Sequence, residues 1–409
     1  MSTPHNLGDS LSSRQKLTYI LVLGALTALG PFTIDMYLPA LPAIQQQFAV
    51  SEADVQLTLT GTMIGFAIGQ LLVGPLSDKI GRKVPLVVSA FLHIGASVGA
   101  ALAPSIVLLG IFRVAMGFGA AASGVVAQAM VRDLFGGRPL VKMLSRMALV
   151  NGLAPVIAPV LGSQLLAFMD WHGIFWALAG YGAFVSIAVS IFIVETLPRE
   201  KRQETRKPLL QRYRSLFTDR VYVGALIMAG LNFTGLFAYL STSPFLFQDV
   251  YHMSAQGYGL LFAVNSVGVI IGVQTASRLM HLGLVQPQWI LAGTTAAQIT
   301  FSILIIIFDV AGFGFWGVAI PLWFYIASCG FTFPSVQILA LAQHGEEAGT
   351  AASLVGAVNF GVAGLLSPII GLFGITNAVP MGGMILLAAT GSCIVLWTIV
   401  RPPKVDVLA

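Results

Sequence analysis

Charged residues are scarce in this sequence. Its 409 residues include 21 Lys or Arg and 16 Asp or Glu, so only 9% are charged, whereas a typical soluble domain has about 25%. Hydrophobic residues make up 56%. So few charges cannot cover the surface of a soluble protein of this size, and the same composition excludes intrinsic disorder. The net charge of +5 is too small to indicate nucleic-acid binding. We therefore predict a membrane protein.

Cysteine and histidine are also rare. Cys329 and Cys393 lie within apolar runs, where a free cysteine behaves as a small buried hydrophobic residue. The six histidines are scattered, and no pair of them has the spacing of metal ligands. We therefore expect no disulfide, no metal site and no bound cofactor.

The apolar residues occur in runs long enough to cross a membrane. A transmembrane helix needs about 20 such residues. Between polar breaks we count twelve spans, at 17–39, 55–76, 84–104, 106–131, 143–168, 172–195, 221–247, 255–277, 288–309, 312–339, 348–374 and 377–400. The sequence thus predicts an all-α membrane protein with twelve transmembrane helices.

The positions of the basic residues test this count, because Lys and Arg concentrate in cytoplasmic loops. If the N-terminus is cytoplasmic, 20 of the 21 basic residues fall on the cytoplasmic side, and Arg113 alone lies within a span. A miscounted helix would scramble this pattern. We therefore predict that both termini lie in the cytoplasm.

One long polar segment divides the chain into two sets of six spans. Gly65 and Gly69 recur 203 residues later as Gly268 and Gly272, which indicates two repeated halves. Repeated halves of this kind are typical of secondary transporters, whose substrate site lies between the halves near the membrane midplane. We predict a cytoplasmic tail at 1–16, a six-helix bundle at 17–195, a cytoplasmic linker at 196–220, a second bundle at 221–400 and a tail at 401–409.

Two charged residues, Asp35 and Arg113, lie within spans, where a charge costs about 3 kcal/mol or more. Asp35 follows Lys16 by 19 residues, and Arg113 precedes Arg132 by 19, so both lie roughly 28 Å along their helices from the cytoplasmic flank. We expect them to share a water-filled cavity in which Asp35 takes up and releases a proton and Arg113 stabilises its charge. The alternative is that Asp35 only marks the outer end of span 1.

The segment GPLSDKIGRK follows span 2. It resembles the most specific signature of the major facilitator superfamily, Gly-x-Leu-x-Asp-x-x-Gly-Arg-Lys, at every fixed position. The resemblance implies two six-helix bundles and a latch that holds the outward-open state. We interpret Gly74 as a point of close helix approach and Gly81 as a turn; the alternative is an ordinary cationic anchor. The latch residues would be Gly74, Asp78, Gly81, Arg82 and Lys83.

Two further motifs resemble those of the superfamily. Arg113 and Gly117 match an Arg-x-x-x-Gly pattern that is associated with proton transfer. Span 5 resembles an exporter-specific motif, although alanines replace two of its glycines, so it supports export without settling the direction of transport. Its small residues predict close helix packing, and its prolines bend the helix or free carbonyl groups. The motif residues are Ala154, Pro155, Ala158, Pro159 and Gly162.

A narrower resemblance covers the whole chain. The segments TIDMYLPALP, MVRDLF, DWHGIFW and ETLP are similar to those of the bicyclomycin/chloramphenicol-resistance group of drug:proton antiporters, and bicyclomycin-resistance proteins above all. The resemblance implies a proton-coupled exporter of antibiotics in the bacterial inner membrane, with Asp35 and Arg113 as its proton-coupling residues. Some relatives have a second acid two turns earlier; Thr27 occupies that position here.

The superfamily's architecture places spans 1, 4, 7 and 10 around the substrate cavity. A mostly apolar pocket with a few polar groups suits a broad-specificity binder. We therefore expect small drugs, protons and the lipid bilayer as partners of a monomer. The candidate cavity residues are Phe32, Gln128, Asn232, Phe233, Tyr239 and Phe331, with Asn265 from span 8, Asn151 from span 5 and Asn359 from span 11.

Three other functions remain open at this point. A carrier of a metabolite such as an amino acid or a sugar would use the same fold. A membrane enzyme would need a clustered nucleophile, metal site or acidic pair, and none is evident in the sequence. A channel would conduct without saturation. We interpret His93, within span 3, as a hydrogen-bonded structural residue.

Overall fold

The computed structural model describes residues 12–198, 202, 209–342, 344, 348–366 and 368–405. Helices joined by short turns account for most of these residues, and no β-strand occurs among them. Parts of the predicted tails and linker, namely 1–11, 199–201, 203–208 and 406–409, lie outside the described residues.

Seven helices precede the linker. The longest have 29 residues, enough to cross a hydrocarbon core with about ten residues to spare. They are α1 (Ser13–Asp35), α2 (Leu41–Phe48), α3 (Glu52–Ile80), α4 (Lys83–Ala101), α5 (Ile106–Leu134), α6 (Gly137–Leu165) and α7 (His172–Phe192).

Among the described residues, eight more helices come after α7, and the first of them lies within the predicted linker. Two of the long ones continue into a π-helical turn, α9 at Leu246–Val250 and α15 at Leu396–Val400. They are α8 (Leu209–Thr218), α9 (Arg220–Phe245), α10 (Ala255–His281), α11 (Pro287–Val310), α12 (Gly314–Leu341), α13 (Ala348–Leu366), α14 (Pro368–Gly371) and α15 (Val379–Val395).

The twelve-span prediction agrees with these helices. In the part of the chain that the structure describes, eleven helical stretches are long and apolar enough to cross a membrane. The remaining predicted span corresponds to α6, which has a shorter apolar stretch at Gly152–Leu165. The prediction of an all-α, multi-span membrane fold is therefore confirmed, whereas the cytoplasmic location of the termini stays a prediction.

The helix boundaries differ from the sequence prediction after span 2. We predicted that span 2 ends at residue 76, but α3 continues to Ile80 and contains Gly74 and Pro75 of the signature segment. Proline lacks a backbone N–H, yet membrane helices tolerate it because neighbouring groups satisfy the freed carbonyl. The turn itself is limited to Gly81 and Arg82, and Gly81 has a φ of +102°, which favours glycine.

Two short helices, α2 and α8, were missed by the hydropathy pattern because neither is long enough to count as a span. Helix α8 lies in the predicted linker and packs through Leu216, which is fully buried in a cluster with Tyr222 and Leu396. Part of the linker is therefore a packed amphipathic helix rather than an extended connection.

The chain forms two compact units. The first consists of Met1–Tyr37 and Gly61–Arg206, and the second of Leu38–Thr60 and Lys207–Ala409. The division between them passes through the continuous helix α3. Helix α2 and the first turns of α3 therefore belong to the same unit as α8 to α15.

Gln56 binds these first turns of α3 within the second unit. Its side chain is fully buried; Nε2 donates to the Ser241 carbonyl at 3.1 Å, and Oε1 accepts from the Gly371 N–H at 3.1 Å. One carboxamide thus joins the main chains of α9 and α14. Three more hydrogen bonds of the segment Leu38–Thr60 to this unit join Thr60 to the Gly364 carbonyl, Glu52 to the Ile375 N–H, and Gln248 to the Pro39 carbonyl.

The repeated glycines mark equivalent close packing in each unit. A Cβ on Gly69 of α3 would lie 2.8 Å from the Phe118 carbonyl oxygen of α5, and a Cβ on Gly272 of α10 would overlap the Ala327 carbonyl of α12. Small residues of this kind let the backbones of membrane helices approach each other. The sequence repeat therefore has a packing counterpart, α3 against α5 and α10 against α12.

Candidate functional site

Arg113 lies in the interior of the first unit, where α5 meets α1. The residue is fully buried, and its Nη1 donates to the Thr33 carbonyl oxygen at 2.6 Å. The guanidinium carbon lies 4.2 Å from the centroid of the Tyr37 ring, a cation–π distance, and 5.9 Å from that of Phe175. Nε and Nη2 are buried without a hydrogen-bond partner among the described residues. Arg113 is therefore fixed by one carbonyl and aromatic faces, with two donors left over.

Asp35 is the last residue of α1 and is only 6% exposed. It is two residues from both Thr33 and Tyr37, which contact Arg113. Within the described residues, Asp35 forms no hydrogen bond and no ion pair with Arg113. The structure thus brings Arg113 to the level of Asp35 but not into contact with it, and their shared proton-coupling role stays a prediction.

Thr33 connects Arg113 to His93. The Thr33 hydroxyl donates to the Leu29 carbonyl at 2.6 Å and lies 2.8 Å from Nε2 of His93. Because the hydroxyl proton is used on Leu29, Nε2 must carry the proton of this contact, and the ring donates to Thr33. His93 is therefore a hydrogen-bonded interior residue, and its Nδ1 has no partner in the described part of the chain. Thr33 belongs to the segment TIDMYLPALP, but the sequence does not show that it links Arg113 to His93.

Gly117, the glycine of the Arg-x-x-x-Gly pattern, permits α5 to approach α3. A Cβ at this position would overlap the carbonyl of Thr62. Ala154 and Ala158 of α6 are buried, and a Cβ on Gly162 would overlap the carbonyl of Met36, so the close packing expected of the span 5 motif occurs at Gly162. Pro155 and Pro159 lie within the continuous helix α6. The role of this motif in export stays a prediction.

The predicted latch centres on Arg82, which is buried. Its Nη1 lies 2.7 Å from Oδ1 of Asp78, and its Nε lies 2.8 Å from Oδ2 of Asp133. Burial lowers the pKa of Arg82, but the hydrogen bonds and charges of the two aspartates outweigh burial and raise it. Gly74 does not make the expected close approach, since a Cβ there would lie at an ordinary 3.5 Å from Val125.

Glu195 completes this cluster in the first unit. Its carboxylate accepts from the N–H groups of Arg82 at 2.9 Å and Lys83 at 3.2 Å, at the start of α4. It also accepts from the Leu197 N–H at 3.0 Å and lies 3.5 Å from Nη2 of Arg202. The segment after α7 is thus bound to the turn at Gly81. The segments ETLP and MVRDLF carried the family resemblance, but the sequence does not show that Glu195 and Asp133 both bind Arg82.

The pKa of the Glu195 carboxyl lies below its ordinary range. Burial would raise this pKa, but three backbone N–H groups and the charge of Arg202 stabilise the ionised form and outweigh burial. The cluster therefore depends on an ionised Glu195.

We expect Glu195→Gln to lower the Tm near neutral pH and to lose this effect in acid. Because the folded pKa is depressed, Glu195 contributes stability above its unfolded pKa of about 4.3, and this contribution is lost as the pH falls through the lower folded value. Thermal unfolding of both proteins in detergent, from about pH 7 to about pH 3, measures the difference. A difference that stayed constant over this range would contradict the assignment.

The aromatic and amide side chains that were predicted to line the cavity have different contacts in each unit. In the first unit, the Phe32 ring lies 5.3 Å from that of Tyr181, and Gln128 is exposed. In the second unit, Nδ2 of Asn265 donates to the Tyr239 hydroxyl at 3.0 Å, so these two candidates bind each other.

The remaining candidates lie on α9 and α12 in the second unit. Phe233 packs edge-on against Phe360 at 5.0 Å. The Phe331 ring lies close to Gly272, where a Cβ would be 3.0 Å from it. Asn232 differs from both, because it lines a cavity of about 220 Å³ between α9, α12 and α13.

Gln298 of α11 is a buried polar residue that sequence analysis did not include among the candidates. Its Nε2 donates to Oδ1 of Asn232 at 2.8 Å and lies 3.4 Å from Oγ1 of Thr332. A carboxamide in the middle of an apolar span is costly unless it is bonded, and this signal was available in the sequence. Gln298 fixes the orientation of the Asn232 side chain.

Comparison with known proteins identifies similar chains. The sequence profile of the Major Facilitator Superfamily matches residues 23–368. The MFS-type transporter YdgK of Bacillus subtilis is 35% identical over 382 residues, 92% of this chain and 94% of the relative. A bicyclomycin resistance protein homolog of Haemophilus influenzae is 32% identical over 393 residues, 94% of this chain and 96% of the relative.

The fold is also similar to that of solved transporters. The crystal structure of a D-xylose-proton symporter superimposes with a TM-score of 0.74, covering 96% of this chain and 99% of the symporter. Its sequence identity is 16%, so this similarity concerns the fold alone.

Proposed function

Because this chain belongs to the Major Facilitator Superfamily, we propose that it is a proton-coupled antiporter that exports small, partly apolar drugs. Membership confirms the resemblance carried by the motifs and makes the chain a multi-pass transporter of the bacterial inner membrane, not an enzyme. The observation that carries the proposal is Asp35, an intramembrane carboxyl group that is almost fully buried and has no bonded partner among the described residues.

The choice of drugs as cargo rests on a relative. The Haemophilus influenzae protein, 32% identical over nearly the whole chain, is named for bicyclomycin resistance. The motifs TIDMYLPALP and MVRDLF support the same group. We therefore propose antibiotics of the bicyclomycin type, among others, as substrates.

Asp35 would act as the proton carrier. Helix α1 is bound on one side by Arg113 and His93, through the carbonyl and the hydroxyl of Thr33. Asp35 is the last residue of the same helix, so a change in its charge acts on a helix end that is otherwise fixed. In the proposed cycle, the cytoplasm-open state binds drug with Asp35 ionised. A proton from outside then neutralises Asp35, which favours release of the drug and return of the carrier.

The proton gradient supplies enough energy for this cycle. One charge moving inward gains about 2.3 kcal/mol per 100 mV, and each unit of pH difference adds about 1.4 kcal/mol. These energies drive a solute outward by about one to three powers of ten. The cycle needs no bound cofactor, and one chain with two six-helix halves is sufficient for it, so we propose a monomer.

Inside-out membrane vesicles from cells that express the chain test this proposal. A pH gradient with an acid vesicle interior should drive accumulation of radiolabelled bicyclomycin as protons leave, and a protonophore should abolish it. Matched vesicles from cells with an empty vector are the control. Bicyclomycin accumulation that is absent, or that survives the protonophore, would overturn the proposal. Uptake of a sugar or amino acid by intact cells after an external acid pulse would instead indicate a metabolite importer.

A further inference from the structure

Trp289 and Trp397 form an exposed pair at one end of the second unit. Trp289 lies in the first turn of α11 and Trp397 in the π-helical turn that ends α15, and their ring centroids are 6.5 Å apart in an edge-to-face arrangement. The two side chains are 46% and 50% exposed. The charge pattern of the sequence predicts that this end is cytoplasmic, so the pair lies where lipid head groups are expected.

This pair differs from an ordinary aromatic belt, which distributes tryptophan and tyrosine around both membrane interfaces. Of the six tryptophans in the sequence, only Trp289 and Trp397 lie at predicted cytoplasmic ends of spans, and they contact each other. The corresponding helix ends in the first unit, the start of α4 and the end of α7, have no tryptophan and expose Val84 and Ile191 instead. Tryptophan at this end is therefore concentrated in one spot.

The two indole N–H groups are available to a ligand. Neither forms a hydrogen bond within the part of the chain that the structure describes, whereas Nε1 of Trp323 donates to the Val264 carbonyl at 3.0 Å. An indole N–H at a membrane interface usually has a polar partner. Gly293 follows Trp289 by one turn on the same face of α11, and a Cβ there would have no atom within 4 Å. An acyl chain can therefore lie over Gly293 while its head group reaches the indoles.

The backbone beside Trp397 is unusual. The last turn of α15 is π-helical, and Arg401, which follows it, has a φ of +57°. This left-handed conformation is unfavourable for a residue with a Cβ, and both features recur at functional sites. The Arg401 side chain folds back along α15, where its Nε donates to the Thr398 carbonyl at 2.8 Å. Arg401 is thus held about one turn from Trp397, and its two Nη groups have no partner among the described residues.

Positive charge is concentrated at the same place. Lys404 is exposed, and Arg220 donates to the carbonyls of Lys404 at 2.9 Å and Val400 at 3.4 Å, which joins the start of α9 to the segment after α15. Within the described residues, none of Arg401, Lys404 and Arg220 forms an ion pair. Basic sites between membrane helices on the cytoplasmic side are suited to anionic lipid head groups.

We propose that Trp289, Trp397 and Arg401 bind the head group of one anionic phospholipid of the phosphatidylglycerol type. The lipid phosphate accepts hydrogen bonds from the Nη groups of Arg401 and from an indole N–H, and Lys404 and Arg220 add positive charge. A choline head group carries its own cation, which these residues repel, so the site prefers glycerol. The site takes no part in the proposed drug export, so either proposal can fail without the other.

Native mass spectrometry of the full-length chain tests the proposal, because it counts the lipids that the protein retains and gives the affinity of each. The detergent-purified chain is titrated with phosphatidylglycerol or with phosphatidylcholine of identical acyl chains. We expect the first phosphatidylglycerol to bind at least about tenfold more tightly than the first phosphatidylcholine and than the second phosphatidylglycerol. Equal affinities of the two lipids, or the absence of one preferred site, would overturn the proposal.

Arg401→Gln separates a specific site from a general attraction of anionic lipid to positive charge. Its matched control is Arg278→Gln, because Arg278 is also exposed and lies in the last turn of α10, at the same predicted end of the second unit. We expect Arg401→Gln to bind phosphatidylglycerol about fivefold more weakly and Arg278→Gln to stay within about twofold of wild type. Equal losses in the two variants would overturn the site. If Arg401→Gln fails to fold, the two lipids compared on wild type still decide.

Trp397→Leu tests the part of the indole pair. Loss of the ring N–H should weaken phosphatidylglycerol binding about three- to tenfold, the effect of one hydrogen bond. Trp316→Leu is the control, because Trp316 is an exposed tryptophan in the first turn of α12, at the opposite end of the unit, and should have no effect. Wild-type affinity in Trp397→Leu, or the same loss in both variants, would contradict the proposal.

Discussion

Asp35→Asn is expected to abolish proton-driven drug efflux, with a loss of at least about 100-fold, while drug binding stays within about threefold of wild type. Asparagine has nearly the shape of a protonated aspartic acid, so the variant mimics one charge state permanently. Without a group that ionises, one inward proton no longer contributes its roughly 3–4 kcal/mol at 100 mV and one pH unit, which corresponds to a factor of a few hundred in the gradient. Accumulation in inside-out vesicles measures efflux, and equilibrium dialysis of the purified protein measures binding.

Asp249→Asn is the control for this variant. Asp249 lies at the end of the same type of span but is exposed, so neutralising it should leave efflux unchanged. Asp35→Glu should retain part of the activity, because it keeps an ionisable group at that position. Protonophore-sensitive efflux at the wild-type rate in Asp35→Asn would rule out Asp35 as the proton carrier.

Gly117→Ala is expected to destabilise the protein by about 1–3 kcal/mol or more. The new methyl group would overlap the carbonyl of Thr62, a backbone atom on α3 that cannot rotate away. Alanine normally stabilises a helix relative to glycine by about 0.5–1 kcal/mol, so the steric effect must reverse that sign. Thermal unfolding in detergent should therefore give a lower Tm than wild type.

Gly124→Ala is a matched control on the same helix. A Cβ at Gly124 has no atom within 4 Å, so only the helix-propensity term remains and the Tm should rise slightly or stay the same. If Gly117→Ala and Gly124→Ala shifted the Tm equally, the close approach of α5 and α3 at Gly117 would be refuted.

The fold could be predicted because the membrane imposes a simple constraint on the sequence. Spans must be long and apolar, and this pattern is readable one residue at a time. Helices α2 and α8 were not predicted, because they are too short to cross the bilayer. Their stability comes from contacts such as that of Leu216 with Tyr222. The continuation of α3 past Leu76 to Ile80 was missed because polar residues after Leu76 suggested that the helix had ended.

The sequence predicted the depth of Asp35 and Arg113 along their helices, but not whether their side chains touch. Counting residues from Lys16 and Arg132 placed Asp35 and Arg113 at one level, and Arg113 does reach the turn of α1 that contains Asp35. Counting along two separate helices gives no rotation about either axis, so it could not show whether the two side chains form an ion pair.

Hydrogen bonds between residues that are far apart in the sequence could not be predicted either. Gln298 with Asn232, and Glu195 with the turn at Gly81, are separated by 66 and more than 100 residues. A polar residue in an apolar span indicates that it has a hydrogen-bond partner, but not which residue that partner is. Asn265 and Tyr239 illustrate the converse, since two residues predicted to line a cavity bind each other.

The segment Leu38–Thr60 has an energetic consequence for the cycle. Five hydrogen bonds of this segment to the rest of the second unit are present among the described residues, and Gln56 makes two of them. Each is exchanged for a bond with water when the segment separates, so the net cost is about 0.5–1.5 kcal/mol per bond, or roughly 3–8 kcal/mol together. One proton crossing at 100 mV and one pH unit supplies about 4 kcal/mol. Burial of Leu38, Leu41 and Ile44 adds about 1.5–3 kcal/mol for each side chain, so the attachment exceeds what one proton supplies and the segment is expected to stay with the second unit throughout the proposed cycle.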